Sequence, residues 1–242
     1  MNQFLIVLIY GTLAGLATIA GIYLVLLRES WARRNSIYLI SFSAGILLSA
    51  AIGQILPEAQ VLNSQALTWF LLSFLFFYIL EHGIILHSCR EGENCQVHPI
   101  DKIALLGIGF HSLLDGIVIG VGFEISFILG VVATLSVLLH EIPEGISTVS
   151  ILLHHGYERK RAVFYSWLVA IATPFGAILS FFVVKNISLS FLGALLAVAA
   201  GSFLYVAAAD LIPEIHKKSR VLNIVLVILG IFFPYLVRWF SD

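Results

Sequence analysis

Two short polar motifs interrupt apolar stretches of the sequence, and both carry side chains that bind cations. In the stretch GIGFHSLLDGIVIGVG, His111 and Asp115 lie four residues apart. In the stretch LLHEIPEGI, His140 and Glu144 have the same spacing, with Glu141 between them. Residues three or four apart lie on one face of an α-helix. If the two stretches form facing helices, two imidazoles and three carboxylates meet in one cation site.

The ligand types narrow the choice of cation. Imidazole nitrogen with carboxylate oxygen favours Zn²⁺, Fe²⁺, Mn²⁺, Co²⁺ or Cd²⁺ over Na⁺, K⁺, Ca²⁺ or Mg²⁺. Because histidine and carboxylate ligands can be protonated, such a site can also release its ion. Pro143 removes the backbone hydrogen bond to the Leu139 carbonyl, and we expect the freed oxygen to bind water or metal. Four glycines permit close helix packing around the motifs: Gly116, Gly120, Gly122 and Gly145.

The same residues fit three other interpretations. Each polar side chain could make an interhelical hydrogen bond and nothing more, but five ionisable groups on two neighbouring apolar segments are more typical of an ion pathway. A proton relay is the main alternative, either as a proton-conducting protein or as a proton-coupled carrier of another substrate. The interpretation as an intramembrane metalloprotease has less support. HEIPE resembles the zinc-protease signature His-Glu-x-x-His, but its last position is Glu144 instead of the second histidine.

The composition indicates an all-α integral membrane protein. Of 242 residues, 60% are hydrophobic and 11% are charged, and the mean hydropathy is +1.02. A helix of about 20 apolar residues crosses about 30 Å of hydrocarbon, and continuous apolar runs predict helices instead of barrel strands. We expect residues 1–242 to form one transmembrane domain. The eight predicted spans are about 4–27, 37–56, 66–86, 103–122, 126–153, 162–184, 191–212 and 221–240.

The positions of lysine and arginine predict the orientation. Of the 13 Lys and Arg residues, all but Lys185 and Arg238 lie in the loops that follow predicted spans 1, 3, 5 and 7. Loops rich in these residues stay on the cytoplasmic side. We therefore expect a multi-pass protein of the cell membrane with both its N- and C-termini outside, in contact with lipid and without a nucleic-acid partner.

Two segments of the sequence resemble each other. AGILLSAAIGQILPE, in predicted span 2, and AGSFLYVAAADLIPE, in predicted span 7, both begin with Ala-Gly and end with Pro-Glu at the same spacing. Spans 2 and 7 run in opposite directions, so the similarity predicts an inverted repeat of helices 1–3 and 6–8 around helices 4 and 5. Secondary transporters often have this plan, with a binding site near the midplane. Alternatively, both segments simply need small residues and end before proline.

The repeated segments also supply candidate pathway residues. Glu58 and Glu214 close the two segments on opposite sides of the predicted membrane, and Gln54 and Asp210 lie one turn deeper. These four residues are candidates for the entrance and exit of a cation. Helix capping or solvation at the interface explains them equally well.

Three motifs together resemble the ZIP (Zrt/Irt-like protein) family of divalent metal transporters. They are HSLLDG at residues 111–116, HEIPEG at residues 140–145 and FLYVAAADLIPE at residues 203–214. The resemblance extends over nearly the whole chain. It implies a single transporter domain of eight spans, uptake of metal into the cytosol through a binuclear site, an elevator-like movement of the central helices, and a homodimer. It implies that the protein is a transporter and not an enzyme, and that the protein has no prosthetic group.

The resemblance also implies roles for individual residues. His111 and Glu144 would be core ligands of one metal, and Ser112, Glu141 and Glu144 would flank a second. His140 would occupy the neighbouring ligand position, and Asp115 would orient ligands or relay protons. The transported ion would be Zn²⁺ foremost, with Fe²⁺, Mn²⁺ and Cd²⁺ as alternatives. The chain departs from the family pattern at Ser112, where many members have Asn, and at Thr173, where some have a bridging Glu, and both differences weaken the second site.

The predicted cytoplasmic loop ILHSCREGENCQVHPID contains both cysteines of the chain. Its four soft ligands are His87, Cys89, Cys95 and His98. They predict a loop metal site that accepts or senses cytosolic metal, with an ordinary solvated loop as the simpler alternative. A disulfide is disfavoured because the predicted compartment is reducing.

Overall fold

The protein is helical throughout the part that its structure describes. The structure is a computed structural model, and it describes residues 2–86, 100–154, 156–184, 187–217 and 220–239. No strand occurs in these ranges, which confirms the all-α prediction. The α-helices are α1 (Gln3–Ala50), α2 (Leu56–Leu62), α3 (Ala66–Leu86), α4 (Ile100–Ile125), α5 (Phe127–His154), α6 (Arg159–Val184), α7 (Leu189–Tyr205), α8 (Ile212–Lys217) and α9 (Val221–Trp239).

The first helix contains two predicted spans joined by a kink. Arg28 has non-helical backbone angles, φ −141° and ψ 50°, within α1. We call the two parts α1N (residues 3–27) and α1C (residues 29–50). The kink redirects the chain between them, so α1N and α1C pack against different helices.

Most of the helices are long and apolar enough to cross a membrane. Six such segments occur in the described residues, and two shorter apolar helices lie at Ala66–Leu80 and Val221–Val237. These lengths and compositions are those of a multi-pass membrane protein. The six long segments are Gln3–Ala32, Asn35–Leu62, Leu105–Ile125, Phe127–Leu153, Arg159–Val183 and Leu189–Lys217.

The helices form two bundles. In the site bundle, α1N packs on α5 and α6, and α4 packs on both of those helices. In the second bundle, α1C packs on α9, while α2 and α3 pack on α7. The bundles meet in a shared apolar core to which Val118 and Val137 contribute from one side and Leu47, Leu196 and Phe203 from the other.

Two glycines bring neighbouring helices close to the polar motifs. A Cβ atom at Gly116 would overlap the carbonyl oxygen of Thr173 on α6, and one at Gly145 would overlap that of Thr18 on α1N. The absence of a side chain therefore lets α4 and α5 approach the backbones of α6 and α1N. This close approach confirms the role expected of these two glycines.

The two similar sequence segments share a local departure from α-helical geometry. Residues Ala51–Ile55 and Val206–Leu211 form π-helical segments, and each is followed directly by a short helix containing the Pro-Glu pair. Proline has no backbone N–H to donate to the preceding turn, and a π-helical segment is one way to relieve that defect. The two segments therefore resemble each other in local backbone geometry as well as in sequence.

Candidate metal centre

Four of the candidate residues converge between α4 and α5. One ligand atom from each of His111, Asp115, His140 and Glu144 lies within 4.8 Å of the others. His140 Nε2 lies 3.0 Å from Asp115 Oδ2, and His111 Nε2 lies 3.5 Å from the same oxygen and 4.0 Å from Glu144 Oε2. Two ligands on a tetrahedral metal with bonds of about 2.0–2.1 Å are about 3.4 Å apart. The distances in the cluster lie on both sides of this value, from 3.0 Å up to 4.8 Å, so small side-chain movements would bring the four ligands around one ion.

The cluster is withdrawn from solvent and has unused hydrogen-bonding capacity. His111, Asp115 and His140 are buried, and the Glu144 side chain is 12% exposed. Among the described residues, His111 Nε2 and Asp115 Oδ1 are buried without a hydrogen-bond partner. Such atoms are costly in an apolar interior. A cation bound in the cluster would satisfy both the nitrogen and the carboxylate.

The orientation of His140 is set by its own helix. His140 Nδ1 lies 2.8 Å from the carbonyl oxygen of Ser136. Because a carbonyl only accepts, Nδ1 carries the proton of the neutral ring, and the lone pair of Nε2 faces Asp115 Oδ2. Two acceptors 3.0 Å apart repel each other unless a proton or a metal ion lies between them. A proton or a metal ion between His140 Nε2 and Asp115 Oδ2 would therefore stabilise the arrangement.

His111 is held from a different helix. Its Nδ1 lies 2.7 Å from Ser202 Oγ on α7, and Ser202 is fully buried. The aromatic ring of Phe203 lies against both histidines, with ring centroids 5.5 Å from His140 and 6.4 Å from His111. Phe77 packs on His111 from α3. The rings of Phe77 and Phe203 thus form an apolar surface on the side of the cluster that faces the second bundle.

Two other predicted site residues make hydrogen bonds beside the cluster. The Ser112 hydroxyl has one proton and two acceptors within reach, Glu144 Oε1 at 2.6 Å and the Ile108 carbonyl at 3.0 Å. Glu141 is fully buried, but it lies outside the four-residue cluster. Its Oε1 accepts a hydrogen bond of 2.6 Å from Thr173 Oγ1 on α6, and its Oε2 accepts one from Thr18 Oγ1 on α1N. Each carboxylate oxygen of Glu141 thus accepts one hydrogen bond from a hydroxyl group.

The backbone oxygen freed by Pro143 has a protein partner. Ser43 on α1C donates a hydrogen bond of 2.7 Å to the Leu139 carbonyl. A hydroxyl from the second bundle thus uses one lone pair of the freed oxygen, as a small polar side chain on a close-packed neighbouring helix can. Binding of water or metal at the second lone pair of this oxygen stays a prediction.

The predicted pathway residues lie away from the cluster. Gln54 is buried in the first π-helical segment, and Asp210 is exposed in the second. Glu58 and Glu214 are half-buried in the first turns of α2 and α8, and Glu214 accepts a hydrogen bond of 2.8 Å from Lys217. Their role in a pathway stays a prediction.

The loop site lies outside the described residues. His87, Cys89, Cys95 and His98 all fall between α3 and α4, where the structure gives no description. The prediction of a loop metal site is therefore untested.

Three hydroxyl residues that hold the centre were not found from the sequence: Thr18, Ser43 and Ser202. Each is a polar residue in an apolar stretch, which is a weak signal, since serine and threonine in membrane helices commonly bond their own backbone. Thr173 was noted only as a departure from a family pattern.

A buried histidine and carboxylate cluster inside apolar helices defines a multi-pass membrane protein with the ligands of a cation site. The chain belongs to the ZIP family of zinc transporters: the family model described as ZIP Zinc transporter matches residues 86–238. Members of this family are transporters and not enzymes. The metalloprotease interpretation is therefore wrong.

Individual relatives match about half of this chain. It is 32% identical over 134 residues to the zinc transporter zipt-7.2 of Caenorhabditis elegans, covering 52% of this chain and 29% of that protein. It is 32% identical over 141 residues to human zinc transporter ZIP10, covering 55% and 16%. The metal cation symporter ZIP14 of Xenopus tropicalis is 31% identical over 136 residues, covering 55% and 29%. The aligned part thus corresponds to less than a third of each of these relatives.

Proposed function

We propose that this protein carries a divalent transition-metal ion, Zn²⁺ foremost, across the cell membrane into the cytosol. The observation that carries the proposal is the convergence of His111, Asp115, His140 and Glu144 at metal-site dimensions. Histidine nitrogen and carboxylate oxygen are both common ligands of Zn²⁺ in proteins. The same ligands accept Fe²⁺, Mn²⁺ and Cd²⁺, and the names of two relatives mention zinc transport.

The transported ion occupies a single site in this proposal. His111, His140 and Glu144 supply ligands, and Asp115 either binds the ion or bridges the two imidazoles. A second ion would need Glu141, which lies outside the cluster and accepts hydrogen bonds from Thr18 and Thr173. The Ser112 hydroxyl donates to Glu144 and in this way fixes the carboxylate that faces the ion. These contacts favour one ion over the binuclear arrangement implied by the family resemblance.

The proposed architecture has eight crossings, an inverted repeat and both termini outside. The matching π-helical segments before the two Pro-Glu pairs support the repeat, because helices related by it should deform at equivalent positions. The apolar character of Ala66–Leu80 and Val221–Val237 supports the two additional crossings. A homodimer is retained as part of the proposal on the family resemblance alone.

Metal uptake into proteoliposomes tests the proposed function. Vesicles loaded with a Zn²⁺-sensitive dye should show uptake with the wild-type protein and none with His111→Ala or Glu144→Ala. Glu158→Ala is the matched control, since Glu158 is an exposed carboxylate that pairs with Arg161 on the surface. Circular dichroism and size-exclusion profiles show whether each variant is folded. Normal uptake by both His111→Ala and Glu144→Ala would contradict the proposal.

Proton movement is the second candidate function. The 3.0 Å contact between His140 Nε2 and Asp115 Oδ2 favours it, because a proton satisfies this pair as well as a metal ion does. The same vesicles, loaded with a pH-sensitive dye and given a pH gradient without metal, test it. If proton flux requires Glu144 and no metal flux occurs, the protein is a proton relay and not a metal carrier. Metal flux that responds to the gradient would indicate coupling.

A further inference from the structure

Two serine hydroxyl groups connect the second bundle to the metal centre. Ser43 of α1C bonds the Leu139 carbonyl, and Ser202 of α7 bonds His111 Nδ1. The other side-chain hydrogen bonds of the cluster residues stay within α4 and α5. Among the described residues, Ser202 is thus the one side chain of the second bundle that hydrogen-bonds a member of the four-residue cluster.

This contact determines which nitrogen of His111 can bind an ion. A neutral imidazole has one protonated nitrogen and one free lone pair, so Nε2 can bind a metal only if the proton lies on Nδ1. The Nδ1–H group then needs an acceptor, and Ser202 Oγ lies 2.7 Å away. The neighbouring rings of Phe77 and Phe203 offer no comparable acceptor.

We infer that Ser202 is a positioning residue for cation binding at His111. Its hydroxyl oxygen accepts the Nδ1 hydrogen bond and so directs the Nε2 lone pair toward Asp115 and Glu144. A metal-bound histidine that donates its other N–H to an acceptor keeps its tautomer and ring orientation and becomes a more basic ligand. The inference rests on the proposed function, since it requires that the cluster binds a cation.

The same contact links the occupancy of the site to the arrangement of the two bundles. A bound cation withdraws electron density from the His111 ring, which makes Nδ1–H a stronger donor to Ser202. The hydrogen bond between the bundles is therefore stronger with the ion than without it. By thermodynamic linkage, a bound ion stabilises the arrangement in which His111 of α4 is hydrogen-bonded to Ser202 of α7, and loss of the ion destabilises that arrangement.

The test compares two buried serines of the second bundle. Ser202→Ala removes the acceptor for His111. Ser73→Ala is the matched control, because the buried Ser73 on α3 donates a hydrogen bond of 2.6 Å to the Val198 carbonyl, which is outside the cluster. Zn²⁺ affinity of the purified full-length protein is measured by competition with a chromophoric chelator. Initial uptake rates in proteoliposomes supply KM and the maximal rate.

We expect Ser202→Ala to weaken Zn²⁺ binding by at least about 10-fold and to raise KM in parallel. The maximal rate should change little, and Ser73→Ala should keep the wild-type affinity. Ser202→Thr retains the hydroxyl and should restore binding. If the added methyl group prevents folding of that variant, the comparison of Ser202→Ala with Ser73→Ala decides the question without it.

Two results would overturn the inference, and they differ from failure of the proposed function. Wild-type affinity in Ser202→Ala, with binding abolished by His111→Ala, would show that the cluster binds the ion and that Ser202 does not position it. An equal loss in Ser202→Ala and Ser73→Ala would assign Ser202 to packing. Absence of divalent-ion binding in the wild type would remove both the proposed function and the inference.

Discussion

Glu141 and Glu144 lie three residues apart on the same helix, and both lie among membrane helices, but their partners differ completely. Glu141 is enclosed by hydroxyl groups from α1N and α6, and each of its oxygens accepts a hydrogen bond. Glu144 faces α4, where Ser112 donates to one oxygen and His111 Nε2 lies 4.0 Å from the other. One carboxylate joins three helices, and the other is directed at a group of metal ligands. Membership of a motif therefore does not determine the role of a carboxylate; its neighbours do.

Glu144→Ala should have the largest effect, because it removes a proposed ligand. We expect Zn²⁺ affinity to fall by about 100-fold or more, beyond the loss that follows removal of a group that only supports a ligand. Chelator competition on the purified protein measures this loss. Glu141→Gln, which keeps the shape and one carbonyl oxygen, should bind Zn²⁺ much more tightly than Glu144→Ala. If Glu141→Gln and Glu144→Ala lost equal affinity, the distinction between the two carboxylates would fail.

Thr173→Ala should affect stability more than ion binding. It leaves a buried oxygen of Glu141 without its donor, which costs about 1–3 kcal/mol. We expect a lower midpoint of thermal unfolding in detergent and an unchanged number of Zn²⁺ ions per chain. Thr12→Ala is a suitable control, because that threonine bonds the Leu8 carbonyl of its own helix. A change in Zn²⁺ stoichiometry, without a change in stability, would make Thr173 part of a metal site.

Ser112→Ala should produce an intermediate loss of affinity. The variant keeps every proposed ligand but frees Glu144 to change its rotamer, and we expect about a 10-fold weaker Zn²⁺ affinity. Metal analysis of the purified protein should give the same stoichiometry as the wild type. Loss of one of two bound ions would instead place Ser112 in a second site, as the family resemblance implies.

Ser43→Ala should have the smallest effect. It removes one hydrogen bond to a carbonyl that Pro143 has freed, and its net contribution to stability is about 1 kcal/mol. The thermal midpoint should decrease slightly, while the KM for Zn²⁺ stays close to the wild-type value. A raised KM with unchanged stability would mean that this carbonyl shapes the metal centre.

The sequence predicted the centre itself because spacing within one helix is local information. His111 with Asp115, and His140 with Glu144, are each four residues apart, so helical geometry brings each pair to one face. The apolar composition of α4 and α5 then placed both pairs inside a membrane protein. Only the mutual orientation of the two helices had to be assumed, and in the structure they face each other.

The same helical geometry also accounts for the separation of Glu141 from the cluster. At about 100° per residue, Glu144 is displaced by about 40° from His140 around the helix axis, and Glu141 by about 100°. The second angle directs Glu141 toward a different neighbour. The sequence does not reveal that Thr18 on α1N and Thr173 on α6 lie on that side of α5, because both residues are distant from Glu141 along the chain. The same holds for Ser202, whose position depends on how α7 packs beside α4.

The enclosure of Glu141 also bears on how the chain enters the membrane. An acidic residue at the centre of a single inserted helix costs about 2.5–3.5 kcal/mol, and α5 carries two acidic residues close to His140. Thr18 has already been synthesised when α5 emerges, but Thr173 follows Glu141 by 32 residues. The carboxylate therefore acquires its second donor only once α6 has been made. Completion of α6 thus stabilises the inserted α5, so the Thr173 contact favours integration of α5 and α6 as a pair.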